Sequence, residues 1–185
     1  DKDARKETVN LENLVGSVKK ATGYHHGGTS LEETIKKMAQ GFVGSNNIPL
    51  LVNDGEFGTR KSGGQDAAAA RYISTKLEDI SWIIFSELDI PILEHAIEDN
   101  KTVEYQMFMP IIPMILVNGA EGIASGYSTN IPSYNPLDIV NWIDAWLGLK
   151  EGDTMKKHPK LVPWYRGFCG SIELVYKKGK DYELW

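Results

Sequence analysis

The residues of this 185-residue chain with the most chemistry in reach lie between positions 58 and 72, where a glycine-rich basic loop runs into four alanines and then the pair Arg71–Tyr72. Tyr72 is a candidate nucleophile toward a phosphate. A phenol of ordinary pKa, about 10, is almost wholly protonated at neutral pH, so a reactive tyrosine needs neighbours that take its proton or steady charge on the atom it attacks. Arg71 is such a neighbour, because it keeps its charge and its planar fork spans two phosphate oxygens at once. Upstream, Gly58, Gly63 and Gly64 let backbone N–H groups approach an anion, and Arg60 and Lys61 bring positive charge to the same loop. Taken alone, the Arg-Tyr pair favours a plainer account, a turn followed by an ordinary strand, because the dipeptide arises by chance in most proteins.

The elements that must hold this stretch are legible in outline. Residues 8–20 place Val9, Leu11, Leu14, Val15 and Val18 at helical spacing, interrupted by Gly16. The clearest helix follows: Ser30 with Glu33 forms a capping box, Leu31, Ile35, Met38, Ala39, Phe42 and Val43 share one face, and Gly44 closes it. Lys36, Lys37 and Gln40 fall toward the other face, available to solvent or to a backbone phosphate, with plain solvation the better account of Lys36. His25 and His26 stand just before this helix, at the positive end of its dipole; adjacent histidines usually mark surface polarity, but anions are attracted there too. Residues 48–52 read as a strand and Asn53-Asp54-Gly55 as a turn. The alanines after Asp66 permit a helix, while the alternation from Tyr72 to Leu77 favours a strand, which puts Tyr72 at a helix-to-strand junction. Residues 78–88 read as a helix carrying Ile80, Ile83, Ile84 and Leu88 inward.

From about residue 100 the texture changes. Residues 103–108 and 111–117 read as strands, followed by a glycine-rich loop, 118–126, with one large aliphatic residue, Ile123. An isoleucine there usually packs into a core; pointing outward, it could instead wedge between base pairs. Asn135 and Pro136 announce a helix whose apolar stripe is Ile139, Val140, Ile143, Trp146 and Leu147, and in which Trp142 and Trp146 fit packing better than base stacking. Residues 170–176 read as a strand, with 177–180 turning into 181–185.

Composition narrows the classes further. With 42% hydrophobic and 24% charged residues the chain is of globular type, and 20 Lys+Arg against 25 Asp+Glu leave a charge of -5. Indiscriminate coating of nucleic acid is excluded, so any DNA binding must use a local basic patch. The single cysteine, Cys169, allows no intramolecular disulfide, and no Cys/His set has zinc spacing. No run approaches the ~18 apolar residues of a membrane span and the start resembles no signal peptide, which points to an intracellular chain with no membrane partner. The absence of an initial methionine and the strand-like end point to a piece of something longer. The helix, strand, helix and strand order over the first 100 residues suits a winged-helix domain, a fold that also serves as a protein-binding module.

Several separate stretches agree on one family. Gly16-Ser17-Val18, Tyr24-His25-His26-Gly27, Met38-Ala39-Gln40-Gly41-Phe42-Val43-Gly44-Ser45-Asn46-Asn47, Gly55-Glu56-Phe57-Gly58-Thr59-Arg60, Gly63-Gly64-Gln65-Asp66-Ala67-Ala68, Arg71-Tyr72-Ile73, Pro110-Ile111-Ile112-Pro113-Met114 and Asn118-Gly119-Ala120-Glu121-Gly122-Ile123 occur in order and with near-family spacing. The chain resembles the DNA-gate region of a type IIA DNA topoisomerase of the eukaryotic or large-virus kind. The resemblance implies an α+β fold, with a winged-helix domain (helix-turn-helix with β-wing) over residues 1–100 that carries the catalytic tyrosine. Residues 101–185 would then be the N-terminal part of a mixed α/β tower domain.

By the same resemblance, Tyr72 would attack a scissile phosphate and take the 5′ end of a broken strand, Arg71 would steady the phosphate, and His26 would support the reacting backbone. Ile123 would be the wedge that bends DNA. Arg60, Lys61 and His25 would meet phosphates, and Lys37 and Gln40 would lie where the recognition helix meets DNA. Gln65 stands where eukaryotic members more often have lysine, which weakens or replaces one phosphate contact, and Ala69-Ala70 stand where they commonly have Ser-Pro; both departures point to a viral or divergent member. The family's Mg²⁺ is held by a Toprim domain and its ATP by an ATPase domain, both expected outside this chain. This segment alone would bind neither, would bind DNA weakly and would not cleave it efficiently. Double-stranded DNA and a second copy of the enzyme are the implied partners, in the nucleus or at a viral replication site. Two other readings compete: a non-catalytic winged-helix DNA-binding module that has kept the topoisomerase fold, and a tyrosine recombinase, which would need several more Arg and His residues at a spacing not present.

Overall fold

The chain divides into two compact units, Asp1–Ile111 and Ile112–Trp185, in a computed structural model that describes residues 7–148 and 160–175. Each unit combines short helices with two-stranded antiparallel sheets, the expected α+β class. In the first unit, β1 (Val9–Asn10) pairs with β2 (Ser74–Thr75), setting Val9 opposite Thr75 and Asn10 opposite Ser74. This pairing brings the start of the fold alongside the residues that follow Tyr72. α1 (Leu11–Thr22) begins at once, capped by the Asn10 side chain and closed by Gly23 in the left-handed conformation at φ 64°. α2 (Gly28–Ala39) packs against it. Leu11, Ile35, Ala39, Leu51, Phe57, Ala70 and Ile73 are buried together as the core of this unit. Burial of a side chain such as Ile73 contributes ~1.5–3 kcal/mol. Because Ala70 and Ile73 both enter that core, the two residues between them, Arg71 and Tyr72, are carried on it.

Several expected elements are corrected. α2 starts at Gly28 with no side-chain cap, so Ser30 lies inside the helix, where its carbonyl accepts the Thr34 hydroxyl at 2.9 Å, and the capping box is not formed. The helix ends at Ala39 rather than Gly44, because the Asn46 amide donates to the carbonyls of Lys37 (2.6 Å) and Gln40 (2.8 Å) and takes the place of further helical turns. Phe42 and Val43 therefore leave the helix. Residues 48–52 form only a bridge, Leu51 to Leu77, in a stretch where Pro49 offers no donor. The expected helix over 78–88 is split. α3 (Asp79–Ile84) stops at Phe85, and the Ser86 hydroxyl, accepting Leu88 N–H at 3.2 Å, restarts the chain as a 3₁₀ turn over Glu87–Ile92. With so short a helix only one face turns inward: Ile84 is buried, Ile80 and Ile83 are exposed, and Leu88 is 88% exposed. β3 (His95–Glu98) and β4 (Lys101–Tyr105) form a hairpin whose turn residues, Asp99 and Asn100, both have positive φ, 48° and 59°, as a type I′ turn requires.

In the second unit, the expected strand over 111–117 is instead α4 (Met114–Val117), started by Pro113 and packed against the helix Pro136–Leu147. Contact with that helix outweighs the β propensity of its Ile and Val. The glycine-rich stretch is no loop: β5 (Ala120–Ala124) and β6 (Tyr127–Ile131) form a complete five-pair hairpin. α5 (Pro136–Leu147) is as expected, with the Asn135 side chain accepting Leu137 N–H at 2.9 Å. Ile139 is its buried residue, as Val117 is that of α4, whereas Val140, Trp146 and Leu147 are exposed, so the inward stripe is narrower than the periodicity predicts. Trp142 and Trp146 stack at 6.5 Å. Residues 170–174 form no strand, and the expected turn and strand over 177–185 lie outside the described residues, as does Tyr176.

Candidate active site

Tyr72 ends a 3₁₀ turn, Ala70–Tyr72, closed by its own N–H donating to the Ala69 carbonyl at 2.9 Å. The turn buries Ala70 and is followed by Ile73, 1% exposed, while Tyr72 itself is 70% exposed. Gly55 lies against Ile73 so closely that a Cβ there would meet Ile73 Cγ2 at 2.7 Å. A rigid floor thus lifts a phenol into solvent. The Arg71 guanidinium lies over the Tyr72 ring, its Cζ 4.7 Å from the centroid, a cation–π arrangement that keeps permanent positive charge beside the phenol. The residue that sequence reasoning missed is Asn10. Its amide nitrogen donates to the Arg71 carbonyl at 3.0 Å and lies 3.4 Å from the carbonyls of both Ala70 and Ile73. An asparagine just before an apolar run is a readable helix-cap signal, but nothing local links residue 10 to residue 71.

The basic loop is organised around Asp66. Its carboxylate accepts the Thr59 N–H at 2.7 Å, the Thr59 hydroxyl at 2.6 Å and the Ser62 hydroxyl. Arg60–Ser62 form a 3₁₀ turn closed by Gly63 at φ 63°. Gly58 and Gly64 lie back to back, both at positive φ, and Gly64 faces the Gln40 amide. Gln40 is 7% exposed. Its side chain donates to the carbonyls of Phe57 at 2.9 Å and Gly64 at 3.5 Å. This corrects the expectation that Gln40 faces solvent or a phosphate: α2 ends at Ala39, and the next residue turns its side chain in to tie the helix to the loop. Arg60, Lys61 and Gln65 remain exposed on that loop.

Hydrogen bonds from Ser62 and then Thr59 hold the Asp66 carboxyl well below its ordinary 3.8, at about 2. A carboxylate depressed by folding adds stability that is complete above its unfolded pKa, near 4, and is lost as pH falls toward the folded value. The loop is therefore expected to keep its order from neutral pH down to about pH 4 and to loosen only toward pH 2. Titration of the Asp66 carboxyl by NMR checks this, and a midpoint at the ordinary value rejects it. Asp66→Ala should open the loop at neutral pH, read as faster tryptic cutting after Arg60 and Lys61.

The other expected residues are more scattered. His25 and His26 lie exposed in the segment before α2; His25 Nε2 is 3.0 Å from Glu98 Oε1, and the His26 ring meets Tyr24 edge-on at 5.4 Å. Lys37 is exposed near the end of α2, whereas Lys36 pairs with Glu32 at 2.7 Å. Ile123 belongs to the second unit, where it is 91% exposed near the tip of the β5–β6 hairpin. It points outward, the alternative to core packing. Among the described residues, no three or more His, Cys, Asp or Glu side chains converge to hold a metal ion, and no helix is long and apolar enough to cross a membrane.

The family model for the A-type subunit of DNA gyrase/topoisomerase IV matches residues 2–183. The chain is 49% identical over 164 residues to DNA topoisomerase 2, mitochondrial, of Dictyostelium discoideum, covering 89% of this chain and 12% of the relative. It is 47% identical over 175 residues to DNA topoisomerase 2 of Acanthamoeba polyphaga mimivirus, covering 95% of this chain and 13% of the relative. Among solved structures, the Plasmodium falciparum topoisomerase II DNA-binding, cleavage and re-ligation domain superposes with a TM-score of 0.86 at 45% identity, over 96% of this chain and 23% of that one. The chain thus spans only 12–13% of the length of these two curated relatives.

Proposed function

We propose, on the premise that this chain belongs to the DNA gyrase/topoisomerase IV family, A-type, that it is the DNA cleavage and religation segment of a type II DNA topoisomerase with Tyr72 as nucleophile. One observation carries the reading: a phenol 70% exposed, on a turn anchored by buried Ala70 and followed by buried Ile73, with a guanidinium 4.7 Å from its ring centroid. In the forward step the Tyr72 oxygen attacks the phosphorus of a duplex phosphodiester. The Tyr–O–P bond forms as the bond from phosphorus to the 3′ oxygen breaks; the phenol gives up its proton, and the 3′ oxygen leaves with the electron pair and takes one up, so the proton count is unchanged. Religation is the reverse, with the 3′ hydroxyl attacking and Tyr72 leaving. One ester replaces another at each step, so resealing needs no nucleotide.

Arg71 offers its fork to the non-bridging oxygens of the attacked phosphate, where charge builds in the transition state. His26 supports the same backbone, and Arg60, Lys61, His25, Lys37 and Gln65 meet neighbouring phosphates. Gln40 acts indirectly, by holding the loop that carries two of these cations. Ile123, outward on its hairpin, is suited to enter a base step. α1 and α2 with the β3–β4 hairpin supply the helix pair and wing of the winged-helix reading. Cutting both strands requires two tyrosines, hence a second copy of the chain. Because the described residues do not fit a cation site, no step here runs through Mg²⁺; residues outside this segment would hold it, and the ATP that drives strand passage. The enzyme would act inside the cell, in the nucleus or at a viral replication site. A non-catalytic module would have no need of an exposed phenol beside a guanidinium.

The polarity of attachment tests this reading. Duplex labelled at the 5′ or the 3′ end, incubated with the full-length protein and Mg²⁺ and trapped with denaturant, should yield a protein-linked product joined through the 5′ phosphate. Peptide mapping should place the link on Tyr72. Attachment through the 3′ phosphate, or on another residue, rejects it.

A further inference from the structure

We infer that Asn10 is a positioning residue for the Arg71–Tyr72 pair, an inference that rests on the reading of Tyr72 as nucleophile. Both ends of its side-chain amide are committed. Oδ1 accepts the Glu12 N–H at 3.1 Å, and Nδ2 donates to the Arg71 carbonyl at 3.0 Å. Chemistry fixes this orientation, because the Glu12 amide only donates and the carbonyls of Ala70, Arg71 and Ile73 only accept, so a flipped amide would break both sets. The Arg71 carbonyl belongs to the planar peptide unit that joins Arg71 to Tyr72. A donor held on that oxygen sets the rotation of the plane, and with it the directions in which the guanidinium and the phenol leave the backbone. A 3₁₀ turn of three residues has no donor of its own for this carbonyl. Asn10 is in turn held from both sides: it pairs with Ser74 in the β1–β2 ladder, and the next residue, Leu11, donates its N–H to the Ile73 carbonyl at 3.0 Å.

Serine and aspartate cap helices about as well as asparagine, so Asn10→Ser and Asn10→Asp both keep α1. Asn10→Ser replaces the amide by a hydroxyl one bond shorter and leaves the Nδ2 position empty, and Asn10→Asp sets a carboxylate oxygen there, which repels the carbonyls. Misplacement of a reacting group by about 1 Å costs about 10²-fold in rate. In the full-length protein with Mg²⁺, both variants should therefore lose roughly 10- to 100-fold in single-turnover cleavage and religation. Their affinity for duplex DNA should stay within about twofold, since no phosphate contact is removed, and their thermal midpoint should fall by only a few degrees, the scale of one lost hydrogen bond, with Asn10→Asp the lower of the two. That division between rate and affinity is what a purely structural role would not produce. Wild-type cleavage rates in both variants overturn the inference, and so does a rate loss matched by equal losses of affinity and thermal stability. Tyr72→Phe, measured beside them, separates the two readings. If the adduct survives in Tyr72→Phe, the nucleophile reading fails and takes this inference with it. If the adduct requires Tyr72 while the Asn10 variants cut normally, only the role of Asn10 fails.

Discussion

In the full-length protein, Tyr72→Phe is expected to abolish covalent attachment to DNA and to lower cleavage by at least ~10⁴-fold, the scale on which loss of a nucleophile stops an enzyme. The substitution removes one oxygen from a side chain that is 70% exposed. A surface change of this kind shifts stability by no more than about 0.5 kcal/mol, and the ring that lies beneath Arg71 is retained. DNA affinity should therefore persist while chemistry stops. Filter binding and denaturant trapping on the same preparation separate the two quantities. A variant that still forms an adduct at a measurable rate rejects Tyr72 as nucleophile. One that loses affinity in proportion to rate assigns the phenol to binding rather than to attack.

Gly58→Ala should do the largest structural damage to the site. Gly58 has φ 96°, and a Cβ added there would meet the Gly64 Cα and carbonyl oxygen, both at 2.7 Å. Those atoms are backbone and cannot swing aside. Positive-φ strain costs ~1–3 kcal/mol and overpacking a further ~1–3 kcal/mol, so a loss of at least about 2 kcal/mol is expected. Displacing Gly64 also disturbs its contact with Gln40, so the loop that carries Arg60 and Lys61 should lose its place and DNA affinity should fall about tenfold, the loss of one or two phosphate contacts. Gly63→Ala is the control: at φ 63° it has no atom within 4 Å of the added Cβ, and only the left-handed conformation opposes it, at ~1–2 kcal/mol. Denaturant unfolding of the two variants should rank Gly58→Ala as the more destabilised. Equal costs would mean that the close contact between Gly58 and Gly64 does not constrain the loop.

Much of this is written locally in the chain. Asn135 and Pro136 announce α5, because a cap and a proline act on N–H groups within three residues of themselves. Arg71, Tyr72 and the glycines of the basic loop are legible as candidates for phosphate chemistry from residue type alone, and the ordered set of motifs supplies the family. The same local rules misplace other elements. Ser30 and Glu33 satisfy a capping pattern, yet α2 has already begun at Gly28. The apolar run from Ile111 to Val117 suggests a strand, yet Met114–Val117 coil into a helix against α5.

What only the tertiary structure decided is which way the site residues face and what holds them. Gln40, counted on the solvated face of α2, turns inward to carbonyls 17 and 24 positions away. Ile123 turns outward because its stretch forms a hairpin of its own rather than a loop over a core. Asn10 reaches across 61 positions to hold the Arg71 carbonyl. The sequence alone determined the chemistry available to this protein, since a phenol, a guanidinium and a basic glycine loop are properties of residues. It could not determine their presentation, because capping and periodicity act over about one helical turn, whereas the peptide plane that aims Tyr72 is fixed by a donor that only folding brings to it.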